Sequence, residues 1–174
     1  MLLNYATVKM PDGLDMLILE LLILLAVSNG TPVIARVILE DRFAWPIDAG
    51  VRLFDGQPLF GSSKTIRGLA FSIMFTTLGA SLMGLGWKIG FVVGSTSMAG
   101  DLFSSFIKRR FKMPASSRAV GLDQIPESLF PLLACQHMLD LGVKDILAVV
   151  LIFFISSVVL SPVFHKLNIR KHPY

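Results

Sequence analysis

The sequence predicts an all-α, polytopic membrane protein with five transmembrane helices and two long loops on one side of the membrane. Apolar residues make up 53% of the 174 residues and charged residues only 16%, with a mean hydropathy of +0.69. A chain this apolar is typical of a membrane protein and not of a soluble domain. Most charges lie in 40–67 and 108–127, and a window of about 19 residues finds five apolar segments elsewhere. We expect a single domain over residues 1–174.

The five segments cover residues 14–39, 68–83, 90–107, 129–141 and 146–164. In the first of them, Gly30 and Pro32 belong to a short interruption that would break or kink a helix. A short link, 84–88, joins the second and third segments, so these two should be antiparallel neighbours. The fourth segment is the shortest and carries Gln136 and His137, whereas the fifth is apolar apart from its serines, among them Ser156 and Ser157, and Pro162.

The distribution of positive charge predicts how the chain is oriented. With five spans, 13 of the 16 Lys and Arg residues fall on one side of the membrane, and Lys9, Lys88 and Lys144 fall on the other. Cytoplasmic loops carry the excess of Lys and Arg in membrane proteins. We therefore expect a protein integral to the cell (cytoplasmic) membrane, with the N-terminus outside and both long loops in the cytosol.

Small residues recur at intervals of four where the second and third segments meet. They are Ala80, Gly84, Gly86, Gly90 and Gly94. Such residues let two helix backbones approach closely, which is how helices associate in lipid. We expect them to pack the second helix against the third. A seam between two copies of the chain is the alternative, and the sequence leaves the oligomeric state open.

An aspartate lies inside the third apolar segment, in the sequence GDLFSSFIKRR of residues 100–110. On a helix, polar side chains spaced by three or four residues form one stripe, which here ends at the cytosolic surface. The stripe consists of Ser97, Asp101, Ser104 or Ser105, and Lys108. A charge near mid-span costs about 2.5–3.5 kcal/mol on insertion scales, so the stripe must face protein or water and Asp101 needs a partner or a function. The alternative is an Asp101–Lys108 ion pair that only holds helices together.

The first long loop contains FDGQPLFGSSKTIRG at residues 54–68. Glycine-rich backbone can turn its N–H groups toward an anion, hydroxyl groups can donate to it, and Lys64 and Arg67 can neutralise it, as a polyphosphate requires. The loop is not a Walker loop, because GxxxxGK[ST] is absent. The candidates for phosphate binding are Asp55, Ser62, Ser63, Lys64, Thr65 and Arg67. A loop that only attracts anionic lipid headgroups is the alternative.

The second long loop, 108–128, brings another acid to the same membrane face. Its basic residues would by default attract lipid headgroups, but Asp123 stands in the turn-like sequence GLDQIP just before the fourth segment. Carboxylate oxygens are the ligands that Mg²⁺ prefers when it also holds the phosphates of a nucleotide. Asp101 and Asp123 are therefore the candidate metal ligands, since Cys135 and the three histidines show no ligand spacing.

Two of these stretches resemble motifs of the membrane-bound phosphatidate cytidylyltransferases. GDLFSSFIKRR is similar to their G-D-L-x-x-S-x-x-K-R core, with matches at Gly100, Asp101, Leu102, Ser105, Lys108 and Arg109. SSKTIRG resembles their S-P-x-K-T-x-E-G segment through Ser62, Lys64, Thr65 and Gly68, with Arg67 in place of the acid. Their H-G-G-x-x-D-R segment is absent, and only Asp123-Gln124 stands where D-R would be.

The resemblance to the small, five-span CDP-archaeol synthase family is closer and covers nearly the whole chain. SNGTPVIA, DGQPLFGSSKTIRG, GDLFSSFIKRR and GLDQIPESL occur in that order. The resemblance implies a CTP-dependent cytidylyltransferase, which converts a lipid phosphate and CTP into CDP-lipid and pyrophosphate with Mg²⁺ as cofactor. The family name favours an archaeal ether lipid, such as digeranylgeranylglycerol phosphate, over a fatty acyl ester. No nucleic-acid partner is expected.

The family's chemistry implies a role for each candidate residue. Asp101, Lys108, Asp123 and Lys64 would be catalytic, and Asp101 and Asp123 would hold Mg²⁺. Lys64 and Arg67 would clamp the triphosphate, while Lys108 and Arg109 would hold its tail or the lipid phosphate. Asp55, Ser62, Ser63, Thr65 and Ser105 would complete the binding site.

Two other functions are compatible with the composition. A small transporter or ion-conducting protein would use Asp101 and Glu20, with His137, as an ion or proton path. A membrane adaptor without catalytic activity would use its basic loops to bind anionic lipids. The adaptor leaves the carboxylate of Asp101 inside an apolar segment without an explanation.

Overall fold

Each of the five apolar segments lies on a helix. The structure is a computed structural model that describes residues 11–115, 117 and 119–166. Its helices are α1 (Pro11–Leu39), α2 (Ile66–Leu82), α3 (Trp87–Arg110), α4 (Gln124–Leu139) and α5 (Val143–Lys166). No strand forms within the described residues, so the all-α prediction is confirmed. Several residues counted in the sequence analysis lie outside the described part of the chain, namely Lys9, Arg118, Arg170, Lys171 and His172.

α1 runs through Gly30 and Pro32 as one continuous helix, so the predicted break in the first segment does not occur. Pro32 has no N–H to donate to the Ser28 carbonyl, four residues earlier. The Ser72 hydroxyl of α2 donates to that carbonyl at 2.7 Å, and the two serine hydroxyls lie 3.0 Å apart. A neighbouring helix thus satisfies the backbone group that proline leaves free, as is common in membrane helices.

The small residues of the second and third segments pack α2 against α3 within one chain, as predicted. A Cβ atom added to Gly90 would lie 2.6 Å from both the Ala80 Cβ and the Thr77 Cα, and one added to Gly94 would lie 3.0 Å from the Ile73 Cα. Neither distance leaves room for a side chain. The glycines therefore bring the two backbones into direct contact.

One apolar core joins the helices, and many apolar side chains also face outward. Leu24 of α1, Val93 of α3, Leu132 of α4 and Val149 of α5 are almost fully buried in the core. Every helix also carries large apolar side chains that are exposed, for example Leu82 of α2, which is 79% exposed. Within the described residues, one helix, Asp15–Leu39, is long and apolar enough to cross a membrane, and Ile66–Leu82 is apolar but shorter.

The loop between α1 and α2 folds back over the end of α3. Two isolated backbone bridges pair Pro46 with Thr65 and Arg52 with Pro58. The Arg110 guanidinium at the end of α3 donates to the Pro58 carbonyl at 2.7 Å and to the Asp55 carboxylate at 2.8 Å. These contacts hold the phosphate-binding candidates of the first loop close to the polar half of α3.

Candidate active site

Lys64 of the first loop and Asp101 of α3 meet at the centre of the candidate site. The Lys64 ammonium donates to both carboxylate oxygens of Asp101, each at 2.5 Å. Asp101 therefore faces protein and not lipid, and its ion-pair partner is Lys64. The alternative pair of Asp101 with Lys108 does not form, because Lys108 binds elsewhere.

Lys64 is a permanently charged group in this position. Burial lowers the pKa of Lys64, but the negative charges of Asp101, Glu127 and Asp123 outweigh burial and hold that pKa above its ordinary value. An ammonium group with a raised pKa stays protonated at every physiological pH. The site thus presents a fixed cation beside its central carboxylate.

Glu127, in the first turn of α4, is a site residue that the sequence analysis missed. Burial and the neighbouring Asp101 carboxylate raise the pKa of Glu127 well above its ordinary value. Two neighbouring carboxylates repel each other, so ionisation of both groups requires a cation beside them. The signal in the sequence was spacing, because Glu127 follows Asp123 by one helical turn in GLDQIPESL.

Gly100 allows α4 to approach α3 closely enough for this contact. A Cβ atom at Gly100 would lie 2.3 Å from the Pro126 carbonyl oxygen and 2.8 Å from the Glu127 backbone nitrogen. One turn later, the Ser104 hydroxyl donates to the Leu122 carbonyl at 2.8 Å. The missing side chain at Gly100 therefore sets the start of α4, with Glu127, against Asp101.

Asp123 and Lys108 form a second ion pair next to the first. Their closest atoms, Oδ1 and Nζ, lie 2.7 Å apart. The Lys108 ammonium also donates to the Ser117 carbonyl at 2.9 Å, and the other oxygen of Asp123 accepts from the Ala119 N–H at 3.0 Å. Lys108 is only 6% exposed. The structure thus brings all four predicted catalytic residues into one largely buried cluster of two ion pairs.

Most of the predicted phosphate-binding residues line one cavity of about 310 Å³ between α1, α2, α3 and the first loop. The site residues on its wall are Ser62, Ser63, Lys64, Thr65, Arg67 and Asp101. Apolar side chains also line it, among them Leu69, Met98 and Leu102. Arg36, Glu40 and Asp41 complete its charged lining. A cavity with both charged and apolar walls suits an amphipathic ligand.

A second cavity, of about 450 Å³, adjoins the first at Pro46 and Ser62, which line both. Arg109 lines this second cavity and donates to the Pro114 carbonyl at 2.7 Å. The buried Nε of Arg109 has no hydrogen-bond partner among the described residues. Lys112 adds a further positive charge, so this cavity is also suited to an anion.

Two other predicted residues make contacts within the protein, and a third is buried. The Arg67 guanidinium donates to three backbone carbonyls at the end of α1, although the residue also lines the first cavity. Asp55 is ion-paired with Arg110 and lines neither cavity. Ser105 is 2% exposed within the polar half of α3. Glu20, which the transport alternative requires, lies half-buried on α1 and also lines neither cavity.

The carboxyl groups of the site have the chemistry that Mg²⁺ requires. In the described part of the chain, no group of three or more acids, histidines or cysteines is arranged to hold a metal ion. Asp101 and Glu127 nevertheless form a pair of hard oxygen donors whose combined charge needs compensation. Because Mg²⁺ is commonly held by one or two carboxylates together with substrate phosphates, this pair fits an ion that arrives with a nucleotide.

The chain matches a known family over its second half. The CarS-like family of CDP-archaeol synthases matches residues 85–174. That stretch contains α3, α4 and α5, and with them Asp101, Asp123 and Glu127.

Relatives in several archaea match most of the chain. A CDP-archaeol synthase of Sulfurisphaera tokodaii is 33% identical over 135 residues, which are 74% of this chain and 81% of the relative. The Pyrobaculum calidifontis CDP-archaeol synthase is 31% identical over 161 residues, 85% of this chain and 91% of the relative. A Saccharolobus islandicus CDP-archaeol synthase is 38% identical over 117 residues, 63% of this chain and 66% of the relative.

One solved structure has a similar fold. It is described as an intramembrane enzyme for archaeal membrane lipid biosynthesis, and it matches with a TM-score of 0.63 at 24% identity. The match covers 79% of this chain and 90% of that chain. The arrangement of helices is therefore one that an intramembrane enzyme uses.

Proposed function

The chain belongs to the CDP-archaeol synthase family, and we propose that the cluster of Lys64, Asp101 and Glu127 is where it carries out cytidylyl transfer. The protein is a CTP-dependent cytidylyltransferase that converts CTP and an archaeal lipid phosphate into CDP-lipid and pyrophosphate. The observation that carries this assignment is the contact of Lys64 with both oxygens of Asp101. It joins the phosphate-binding loop to the acid of α3 at the wall of a cavity.

The reaction is an in-line displacement at phosphorus. An oxygen of the lipid phosphate forms a bond to the α-phosphorus of CTP, the bond from that phosphorus to the oxygen bridging to the β-phosphate breaks, and pyrophosphate leaves with the electron pair. The nucleophile is already an anion. The protein therefore has to position two anionic substrates and compensate the charge that develops, and no covalent intermediate is needed.

The cations and hydroxyl groups at the two cavities would hold the phosphates. Lys64 is charged and lines the first cavity, with the hydroxyl groups of Ser62 and Ser63 beside it. Arg109, whose buried Nε lacks a partner among the described residues, lines the adjoining cavity. These groups would clamp the triphosphate, and Arg109 would bind its tail or the lipid phosphate. Lys108 lines neither cavity, so it would contribute its charge from the ion pair with Asp123. Arg67 already donates to three backbone carbonyls, so it would support the cavity wall while its positive charge still attracts the triphosphate.

Mg²⁺ would be held by Asp101 together with Glu127 or Asp123. The bound ion would compensate the charge that develops on pyrophosphate. Until substrates bind, the Lys64 ammonium compensates the Asp101 carboxylate. This ion pair explains how a carboxylate is tolerated inside an apolar helix.

The protein is a membrane protein, and we propose that its five helices span the bilayer with the N-terminus outside and the site at the cytosolic face. The excess of Lys and Arg on one side supports this orientation. Cys135 is the single cysteine of the chain and is buried, so a thiol reagent should label only a cysteine that is introduced at the surface. In right-side-out vesicles, a membrane-impermeant maleimide should label Lys144→Cys and spare Lys112→Cys. The reverse pattern would refute the orientation.

The activity is tested with purified protein, Mg²⁺, labelled CTP and a lipid phosphate. We expect CDP-lipid and pyrophosphate in equal amounts, and a faster reaction with an ether lipid phosphate than with a matched ester. Asp101→Asn should lower the rate at least about 100-fold while the helical circular dichroism is retained. If neither lipid gives CDP-lipid, the proposal is wrong, and ion flux in liposomes then tests transport.

A further inference from the structure

Asp48 is a buried carboxylate in the first loop that the proposed reaction leaves without a role. Its side chain is 6% exposed. One carboxylate oxygen accepts from the N–H groups of Phe60 and Gly61, both at 2.9 Å, and the other accepts from the Gly50 N–H at 3.1 Å. Burial of an ionised carboxylate is costly unless its oxygens are hydrogen-bonded, and here both oxygens are.

The amides that bind Asp48 belong to the turn that ends at Lys64. Gly61 has a φ of 95°, a conformation that glycine adopts readily. The Gly61 carbonyl accepts from the Lys64 N–H at 3.1 Å, which closes the turn. On the far side, the Ile47 N–H donates to the Lys64 carbonyl at 2.9 Å. The adjacent residues Ile47 and Asp48 therefore hold both ends of the segment 60–64.

Asp48 has little capacity left for a ligand, although it lines the second cavity. Three backbone donors already occupy its oxygens, and a carboxylate offers about four acceptor positions in all. Burial raises the pKa of Asp48, but these backbone N–H groups outweigh burial and hold the pKa below its ordinary value. The group is thus an ionised, internally satisfied carboxylate whose contacts are with backbone.

We propose that Asp48 is a positioning residue for cytidylyl transfer, which fixes the turn at residues 60–64 so that the Lys64 ammonium is held on Asp101 at the cavity wall. The inference rests on the function proposed above for Lys64. Asp48 itself touches no reacting atom. Its effect passes along the backbone from the amides of Phe60 and Gly61 to the side chain of Lys64, three residues away.

The test compares Asp48→Asn with Asp145→Asn. Asparagine keeps the size of the side chain but replaces one acceptor oxygen with an NH₂ group. That group cannot accept a hydrogen bond, so either the Gly50 N–H or the N–H groups of Phe60 and Gly61 would lose their acceptor. Asp145 makes the same kind of contact at the start of α5, where its carboxylate accepts from the Gly142 N–H at 2.8 Å. Both variants therefore lose a carboxylate that binds backbone, but only one of these carboxylates holds the turn of Lys64.

The first measurement is the rate at which an acetylating reagent modifies Lys64. Mass spectrometry of the digested protein monitors this rate. Lys64 is 19% exposed and engaged with Asp101, so it should react slowly in the unaltered protein. In Asp48→Asn we expect it to react several times faster, while Lys88 and Lys112, both exposed, serve as internal standards and keep their rates. Asp145→Asn should leave all three rates unchanged. An unchanged Lys64 rate in Asp48→Asn would overturn the proposal.

The second measurement is the turnover of CTP and lipid phosphate at saturating substrate. Asp48→Asn should lower kcat about tenfold, because a misplacement on the ångström scale is enough to slow a positioned reaction. In a Lys64→Arg background, the same substitution should cost much less, because both changes act through one side chain. Additive losses, or a loss with no change in Lys64 acetylation, would assign Asp48 to loop stability only and refute the positioning role. A different outcome separates the two proposals. If the unaltered protein makes no CDP-lipid but Lys64 is still acetylated faster in Asp48→Asn, the proposed function is refuted and the role of Asp48 in holding the turn is supported.

Discussion

The two halves of α3 use glycine in the same way but bring different neighbours into contact. In the first half, a Cβ on Gly90 would lie 2.6 Å from the Thr77 Cα of α2. In the second half, a Cβ on Gly100 would lie 2.3 Å from the Pro126 carbonyl oxygen of α4. The first contact joins two apolar helices, whereas the second sets Glu127 against Asp101. Close backbone packing thus stabilises the bundle at one end of α3 and assembles the site at the other.

The difference between the halves lies in what they bury. Ser104, Ser105, Lys108 and Arg109 are all buried in the second half. Buried polar groups require partners, and those of Ser104, Lys108 and Arg109 come from the second loop, up to Asp123 just before α4. We therefore expect changes in the second half to reduce activity first, and changes in the first half to reduce stability first.

The largest effect is expected from Lys64→Met. Methionine has about the length of lysine but no charge, so Asp101 and Glu127 would lose the cation that compensates them and the cavity would lose its fixed positive charge. We expect the rate of CDP-lipid formation to fall at least about 100-fold. Lys88→Met is the matched control, because Lys88 is an exposed lysine in the first half of α3. Equal losses in the two variants would contradict the assignment of Lys64 to the site.

The comparison of glycines is tested most directly by Gly100→Ala and Gly94→Ala. The new methyl group at position 100 must push away the start of α4, so the contact between Asp101 and Glu127 should be lost and kcat/KM should fall roughly 10- to 100-fold. At position 94 the methyl group meets the Ile73 Cα at 3.0 Å. Overpacking there should destabilise the protein by about 1–3 kcal/mol and leave the activity of the folded fraction nearly unchanged.

Two measurements separate these outcomes, namely thermal unfolding in detergent and turnover by protein that remains folded. The distinction between the two halves fails if Gly100→Ala lowers only the unfolding temperature, or if Gly94→Ala lowers kcat as strongly as Gly100→Ala does.

A smaller effect is expected from Glu127→Gln. Glutamine can still hydrogen-bond to Asp101, but it removes one hard anionic donor, so Mg²⁺ should be bound less tightly. We expect a loss of activity of about tenfold and a higher Mg²⁺ concentration for half-maximal rate. Glu20→Gln is the control, since Glu20 is a half-buried acid on α1 that lines neither cavity. An unchanged Mg²⁺ requirement in Glu127→Gln would exclude Glu127 as a ligand.

Composition and spacing predicted those parts of the protein that depend on local sequence. Apolar length gave the five helices, and the intervals of four gave the contact of α2 with α3. The polar stripe on α3 correctly predicted that Asp101 faces protein, because helix periodicity determines which residues share a face. The ion-pair partner of Asp101 was not predicted, since the stripe suggested Lys108, whereas Asp101 pairs with Lys64 and Lys108 pairs with Asp123.

Contacts between distant segments were the parts that the sequence could not supply. Asp48 became recognisable only when the fold set it beside the amides of Phe60 and Gly61. The spacing of Glu127 from Asp123 was visible in the sequence, but its place beside Asp101 was not. Asp55 illustrates the opposite case, since its position in the glycine-rich loop suggested phosphate, whereas its carboxylate is ion-paired with Arg110. Residue type and spacing identify groups capable of chemistry, but tertiary contacts decide which of them are free to perform it.

The smallest effect on activity, with a clear effect on stability, is expected from Ser72→Ala. Pro32 leaves the Ser28 carbonyl without its helical donor, and the Ser72 hydroxyl fills that place at 2.7 Å. Without the hydroxyl, a buried carbonyl stays unsatisfied, which should cost about 1–3 kcal/mol of stability while turnover changes less than twofold. Ser81→Ala should cost much less, because the Ser81 hydroxyl is exposed and only donates within α2. Pro32→Ala restores a backbone N–H to α1, so Ser72→Ala should destabilise this variant less than it destabilises the unaltered protein. If thermal unfolding gave equal losses in both backgrounds, Ser72 would be acting through something other than the carbonyl that proline leaves free.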